Sequence, residues 1–492
     1  VTTLASRSEA AAIPPLPAAS VARWDREHDV VVVGHGGAGA SAAIEAARAE
    51  ADVVVLERMT LGGGTTASST GVLYFGGGTR IQKACGFDDS LDEMQKFVRL
   101  AAGADADEAK VRLFCEGSIE HFEWMSALGV EFNETFVAEK TTHPFEDDCL
   151  FYSGNEQAYP FASQAVPAPR GHKPARPGEA GGYLMRCLLR ATDDAGASVL
   201  KDSRVERLIQ DTDGRVVGAV VHHDGAPLHV KARRGLVLCA GGFIMNTPMV
   251  TKHAPLLQHC RYKLGTPGDD GAGIRMGMGA GGHAVNMHEG LILNAYYPPA
   301  SHLMGVLVDA RGQRFINEDA YLGRTSDAML TRADGRAWLI VDDEMIGPTQ
   351  ARHTIAAVEG SFGELERALG MPDGELVHTL ETYNRFAARA EDPAFHKAPA
   401  YLRPLTPPCA ALDCSTSNSI YGVLTLGGLA VRATGEVLTA GGHVVPGLYA
   451  AGRTAAGLPL EGRTYASGLS IGDATFFGRL AGRSAATMPP WG

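Results

Sequence analysis

A basic surface is missing from this chain. Its 492 residues hold 44 Lys and Arg against 56 Asp and Glu, a formal net charge of −12. A phosphodiester backbone needs clustered positive charge, so nucleic acid is excluded as a partner class. Any phosphate must be held by backbone N–H groups and helix ends, which need no net charge. Paired cysteines are missing too. Cys85, Cys115, Cys149, Cys187, Cys239, Cys260, Cys409 and Cys414 form no CxxC, no haem-attachment CxxCH and no zinc spacing. That argues against a disulfide scaffold and points to buried reduced thiols in a cytoplasmic protein. No apolar run reaches the roughly 18 residues that cross a bilayer. No short tandem repeat occurs. Residues 1–23 are rich in Ala, Pro and Ser without a charged start and apolar core, so they read as a flexible tail, not a signal peptide.

Glycine is abundant, at 60 residues, in short runs between apolar segments. Tight turns and close ligand approaches are therefore expected. The length suits two or three domains. Asp29–Gly34 (DVVVVG) reads as a buried parallel strand, the Ala-rich stretch 40–49 as a helix, and Asp52–Glu57 (DVVVLE) as a second strand. Residues 90–128 predict two helices, and 141–180 a long excursion or lid. Val205–Ile209, Val216–His222 and Leu228–Arg233, joined by Asp-Gly turns, read as an antiparallel meander, and Leu236–Gly242 as a separate buried strand. The pattern changes over 287–412 and returns over 413–492. The expected organisation is a split α/β Rossmann-like domain, 24–286 and 413–492, with a capping α+β domain inserted at 287–412.

Gly34-x-Gly36-x-x-Gly39 stands between the first strand and its helix. The first glycine allows the tight turn, the second lets backbone reach a pyrophosphate, and the third lets helix and strand pack. Gly37 and Ala38 complete the amide row. Glu57 ends the next strand 18 residues on, where an acid meets ribose hydroxyls. Three features favour FAD over NAD. Arg58, Gly63, Gly64, Thr65, Thr66, Ala67, Ser69 and Gly71 offer amides and hydroxyls for a second phosphate contact. A strand ending at Ala240 and Gly241 follows the meander, on which Val205 lies. Gly452, then Gly468, Leu469, Ser470 and Ile471 ahead of a helix, offer amides for the flavin edge. Non-covalent FAD is the expected cofactor.

The stretches GHGGAGASAAIEAA, GVLYFGGGTRIQKACGF, GQRFINEDAY and GRTYASGLSIGDATFFGRLAG resemble the fumarate reductase/flavocytochrome c superfamily of FAD enzymes. Within it the chain is most similar to the 3-ketosteroid Δ4-(5α)-dehydrogenases. The resemblance runs from about Asp29 to Gly482. It implies a glutathione-reductase-type FAD domain, a catalytic cap, and removal of a hydride and a proton from neighbouring carbons beside a ketone. Fumarate-reducing members carry an Arg proton donor after RF-x-NE and a His-Pro pair before it. Here Arg314-Phe-Ile-Asn-Glu318 is followed by Tyr321 close to the expected Arg, and His288 precedes Glu. Δ1-dehydrogenases carry Tyr-Pro-Gly before the flavin helix, whereas this chain has Tyr465-Ala-Ser467-Gly468. Both departures favour Δ4 chemistry.

Proton loss beside a ketone requires a donor to the oxygen that becomes an enolate. Tyr465 is the candidate donor. Tyr321 and Ser467 are candidates for the base, acting as one relay, with either able to touch carbon; an ionised phenol at pH 7 would need a neighbouring charge or dipole. Arg324 and Arg463 are alternatives for anion recognition but read more simply as surface arginines. His283, His288 and His302 lack metal spacing and read as solvated or packing residues. Tyr296 and Tyr297 either line an apolar pocket or form a cap loop. The expected reaction is 5α-3-ketosteroid oxidation to the Δ4-3-ketone. The alternatives are Δ1-dehydrogenation, a fumarate- or enoate-type reduction, and a flavin redox carrier without substrate. Electrons would leave to a separate acceptor.

Overall fold

The computed structural model describes residues 10–349 and 351–491. The Val-rich runs form a parallel core because both faces of such strands are covered. Ser198–Leu200, Val53–Leu56, Arg26–Val33, the end of Ala226–Leu238 and Val444–Ala450 lie side by side in that order. Val31 pairs with Val54 and Leu236 with Leu448, so segments from both ends of the chain share one sheet. Ser203–Gln210 and Val216–His223 extend it antiparallel. Their turn to the next strand uses Asp224 and Gly225, both at positive φ (47° and 81°), the backbone that a two-residue Asp-Gly hairpin demands.

Three expectations are corrected here. Leu228–Arg233 and Leu236–Gly242 are one strand, Ala226–Leu238, whose register shifts between Ala232 and Gly235. Residues 226–231 pair with Val216–His223, while pairing with Arg26–Val33 runs from Val230 across the shift to Leu238. Residues 90–128 form three helices, Leu91–Ala102, Glu108–Glu116 and Ser118–Ala127, because Asp107 caps a helix start inside the stretch. The expected tail is tied down from residue 10. Ala10 is buried, Ile13 N–H donates to Arg275 O, and Leu16–Pro17 pairs with Ser203–Gln210. Residues 1–9 of that tail lie outside the described residues.

The inserted region builds a second sheet in the order Val306–Asp309, Ala337–Asp342, Cys409–Asp413, Ile355–Glu359. The last core strand of this sheet, Cys409–Asp413, spans the expected border at 412. Helices Leu322–Thr331, Phe362–Ala368 and Glu375–Ala387 accompany it. Short ribbons link it to the first domain, Gly422–Thr425 lying between Tyr262–Lys263 and Gly290–Leu293. The stretch 141–180, expected as an excursion, contributes Leu150–Phe151 and Gly171–His172 to a small sheet with Leu73–Tyr74 and Phe136–Val137. No helix among the described residues is long and apolar enough to cross a membrane.

Candidate active site

The glycine motif sits where its chemistry requires. Gly34 has φ +98°, and a Cβ there would lie 2.5 Å from Cys239 O; a Cβ on Gly39 would lie 1.9 Å from Gly34 O. Gly36 is the N-cap of the helix Gly37–Arg48 and provides no side chain to cap it. The first amides of that helix, on Gly37 and Ala38, therefore remain available to an anion. Gly63 bridges to Gly36 and opens the short helix Gly64–Ala67, which brings Thr65 and Thr66 beside the same turn. Glu57 is buried and accepts N–H bonds from His35 (2.8 Å) and Met59 (2.8 Å), which fix the carboxylate at the strand end.

Other residues expected at this site have partners of their own. Arg58 pairs with Asp270 at 2.8 Å. Ala67, Ser69 and Gly71 pack under the helix Gly181–Asp194, where a Cβ on Gly71 would lie 2.6 Å from Ala180 C. Val205 is buried on the strand whose first residue, Ser203, donates to Glu57 O. Ala240 and Gly241 follow the strand end, and a Cβ on Gly241 would lie 2.5 Å from Asp269 Oδ1.

Asp269 was not singled out by sequence reasoning, yet it ties this floor together. It accepts from Gly242 N–H (2.9 Å), Thr266 N–H (2.9 Å), the Thr65 hydroxyl and Arg453 Nη2 (2.7 Å). Burial alone would raise its pKa. The Arg453 guanidinium, the Thr65 hydroxyl and the two amides outweigh burial and hold its carboxyl below the usual range. The available signal was the GTPGDDG turn between two apolar runs.

The last helix, Leu469–Thr487, starts from Gly468, again without a side-chain cap. Gly468 has φ +98° and lies against Leu73 and Tyr74 backbone, 2.8 Å from the position of a Cβ. The helix packs tightly on the first one, since Cβ atoms on Gly478 and Gly482 would lie 2.5 and 2.1 Å from Ala38 O and Ala42 O. A Cβ on Gly452 would lie 3.0 Å from Ala38 Cβ. Two uncapped helix starts thus belong to one packed pair. This is a donor set for a pyrophosphate and for a second electron-rich group, and it fits a dinucleotide flavin.

Tyr321 and Tyr465 come together although 144 positions separate them in sequence. Their ring centroids are 6.4 Å apart and both residues are buried. Tyr321 stands at the start of helix Leu322–Thr331, where its N–H donates to Asn155 Oδ1 at 2.8 Å. Ser467 lies near enough to its hydroxyl to favour the ionised phenol. Burial pushes the Tyr321 phenol well up, the Tyr465 and Glu156 charges add to this, and Ser467 opposes it. Tyr321 is therefore held as a neutral phenol, not as the standing phenolate that a base of pKa near 7 would be. Tyr465 accepts from Ser470 N–H at 3.2 Å, which leaves its own O–H to donate. Its pKa is raised by burial, against the bonds from Ser470. Around the pair lie Tyr74, Phe97, Phe161, Leu291 and Leu458, an apolar setting.

Of the remaining candidates, only Arg324 borders this cluster. Arg463 is exposed and pairs with Glu461 at 2.7 Å. Arg324, one turn after Tyr321, lies over the Phe161 ring at 5.8 Å. His302 is a buried packing residue that contacts Tyr296 O and Gly347 N–H through its ring nitrogens, while His288 is exposed. Tyr296 and Tyr297 are both fully buried in the cap, Tyr296 donating to Glu318 O at 2.6 Å.

Residues 29–462 match the family described as FAD binding domain. The 3-oxo-5-alpha-steroid 4-dehydrogenase of Comamonas testosteroni is 31% identical over 87% of this chain and 93% of that protein. The crystal structure of 3-ketosteroid-delta4-(5alpha)-dehydrogenase from Rhodococcus jostii RHA1, in complex with 4-androstene-3,17-dione, is 42% identical. It has a TM-score of 0.92 and covers 97% of this chain and 100% of that one. A flavocytochrome c3 fumarate reductase in its open conformation is 25% identical with a TM-score of 0.67, over 94% of this chain and 79% of that one. With its glycine turn, its two uncapped helix starts and this match, the chain belongs to the FAD-binding-domain family of oxidoreductases and takes FAD as its cofactor.

Proposed function

We propose that this chain dehydrogenates a flat, apolar 3-ketosteroid, converting a 5α-3-ketone to the Δ4-3-ketone. The observation that carries this reading is the pairing of Tyr321, from the inserted region, with Tyr465 and Ser467, from the approach to the last helix. Bound FAD supplies an acceptor at N5 for the hydride that leaves C5. The other tasks fall to side chains. Tyr465 donates its O–H to the C3 ketone oxygen, where enolate charge develops as C4 loses its proton. The Ser470 amide on the phenol oxygen, at a helix start, strengthens that donor. Ser467 and Tyr321 take the C4 proton as one relay, Tyr321 shuttling as a neutral phenol. Burial of both phenols excludes water and strengthens each of these interactions.

Gly34, Gly36, Gly37, Ala38 and Gly39 form the turn that receives the FAD pyrophosphate, and Glu57 faces the ribose. Gly63 to Thr66, Gly241, Gly452 and Gly468 to Ile471 line the path towards the flavin. The cofactor is held without a covalent bond, and a separate acceptor removes the electrons, since no haem-attachment motif is present. Similarity to the Rhodococcus jostii enzyme, solved with a Δ4-3-ketone, supports the ring position. Anaerobic mixing with a 5α-3-ketosteroid tests the proposal. Bleaching of the flavin absorbance and formation of the Δ4-3-ketone are expected. Oxidation of a reduced dye by fumarate, with no bleaching by any steroid, would overturn it.

A further inference from the structure

We infer that the turn Ser153-Gly154-Asn155 is a positioning element for this reaction, a spacer that sets Tyr321 and Ser467 at their working separation. The inference rests on the function proposed above. Tyr321 comes from the inserted region and Ser467 from the approach to the last helix, so chain connectivity does not fix one against the other. One short turn is bonded to both. Ser153 binds residue 467 through both backbone groups, its O accepting from Ser467 N–H and its hydroxyl donating to Ser467 O, each at 2.9 Å. Two residues on, Asn155 Oδ1 accepts from Tyr321 N–H at 2.8 Å. Between them Gly154 lies against Ala466, where a Cβ would come within 2.5 Å of Ala466 Cβ.

The turn is rigid for reasons of its own. Ser153 and Asn155 are both buried. The turn leaves the strand Leu150–Phe151, which pairs through Gly171–His172 with Leu73–Tyr74. Gly468 packs on the same Leu73 and Tyr74 backbone, so the turn and the start of the last helix share one support. Glu156 braces the turn from within, accepting from Gly154 N–H at 2.7 Å and Tyr74 O–H at 3.2 Å. Ala158 N–H donates to Asn155 O at 3.0 Å. Cα atoms two residues apart separate by about 7 Å at most, so the two anchors move together. Asn155 spends its side chain on Tyr321 alone, because Nδ2 meets no acceptor among the described residues. Exchanging its O and N would set two donors face to face, so the Tyr321 N–H also fixes which way the amide points. A buried amide with one donor unmatched works against stability, and what it secures is the place of Tyr321. Ser153 and Asn155 are therefore positioning residues that act through Ser467 and Tyr321.

Anaerobic flavin bleaching of the holoenzyme by a 5α-3-ketosteroid, over a range of steroid concentrations, tests this. Asn155→Ala should keep full flavin content and hold the apparent steroid Kd within about threefold, while the limiting rate falls by about tenfold or more. Asn155→Asp keeps an acceptor at the same point and should recover part of that loss. Coupling separates positioning from general weakening. In a Tyr321→Phe background, Asn155→Ala should slow the residual bleaching by less than about twofold, because the group it places is already gone. Losses that multiply in the double variant, or an Asn155→Ala rate within about twofold of wild type, would overturn the inference and leave the function standing. A wild type that no steroid bleaches would overturn the function, and the inference with it. If Asn155→Ala holds no flavin, or Tyr321→Phe bleaches too slowly to follow, Ser153→Ala decides, since it deletes one hydroxyl and keeps the turn backbone. It should lower the limiting rate by about threefold or more at unchanged Kd, and lose that effect beside Ser467→Ala. Multiplying losses in that pair would overturn the inference.

Discussion

Replacing Tyr465 with Phe separates catalysis from architecture at this site. The ring remains and keeps its contacts with Tyr321, 6.4 Å away, and with the apolar cluster around them. The hydroxyl that is lost accepts one backbone bond, from Ser470 N–H at a long 3.2 Å. Leaving that amide unmatched costs about 1 kcal/mol. In a chain of this size that lowers Tm by less than about 2 °C. The same hydroxyl is the proposed donor to the developing enolate. Removing one such donor from a water-excluded site costs about 3–4 kcal/mol of transition-state stabilisation, a fall of about 100- to 1,000-fold in rate. The assay is stopped-flow bleaching of the flavin by saturating 5α-3-ketosteroid, with flavin content and thermal unfolding measured on the same preparation. The expected result is full flavin content, nearly unchanged Tm and a bleaching rate lower by two orders of magnitude or more. An unchanged rate would refute the assignment, and loss of flavin would show that the hydroxyl holds the architecture instead.

Gly39→Ala should abolish flavin retention, because its Cβ would lie 1.9 Å from Gly34 O; the ratio of flavin to protein absorbance after gel filtration checks this. Asp269→Asn should destabilise the floor of the site by about 3–5 kcal/mol, because it leaves the largely buried Arg453 without its anion. Urea unfolding measures that loss, and flavin content should fall with it. Asp473 gives a pH signature. Burial pushes its carboxyl up to about 6, against the Leu458 amide and Lys110. A folded pKa above the unfolded one means that its contribution to stability is complete below about pH 4 and is lost as pH rises through about 6. Asp473→Asn should therefore gain about 3 kcal/mol relative to wild type across that window. A difference in unfolding free energy that stays constant from pH 4 to pH 7 would contradict it.

What could be read from sequence was whatever depends on local pattern. Val-rich runs bounded by glycine specify strands buried on both faces, and the Gly34, Gly36, Gly39 motif specifies a turn in which a side chain at Gly34 or Gly39 would strike backbone. Tyr321, Tyr465 and Ser467 were legible as candidates because each lies beside a motif. Their meeting was expected from the family resemblance and not from local pattern, since it depends on how the insert closes over the last helix. Asp269 and Arg453 escaped for the same reason: each is unremarkable in its own segment, and only folding makes them a pair. The turn 153–156 escaped because a Ser-Gly-Asn-Glu stretch reads as an ordinary loop. Its role comes from contacts with residues 166 and more than 300 positions away. The register shift within Ala226–Leu238 was hidden because Arg233 and Arg234 imitate a break between strands. They sit instead at the sheet rim, where Arg233 pairs with Asp29 and Asp52.

The RF-x-NE stretch shows how a motif shared with fumarate reductases can serve different chemistry. Its charges turn into the cap. Glu318 is fully buried and receives Arg314 Nη2 at 2.7 Å, Arg314 Nε at 2.9 Å, Leu307 N–H at 3.0 Å and Lys397 Nζ at 3.2 Å. Arg314 also reaches Asp392 at 2.8 Å. Burial opposes the charge on Glu318, but Arg314 and Lys397 hold its carboxyl below the usual range, so it stays ionised and satisfied. A network so fully occupied leaves no carboxylate or guanidinium of the motif for a substrate. It anchors the segment instead, and the residue that emerges from that anchor toward Tyr465 is the neutral phenol of Tyr321. A dicarboxylate would have to desolvate two anions beside two buried phenols and the Phe97, Phe161, Leu291 and Leu458 side chains, at a cost of several kcal/mol per charge that was left unpaired. A ketosteroid brings one carbonyl, which Tyr465 can match, and hydrocarbon for the rest.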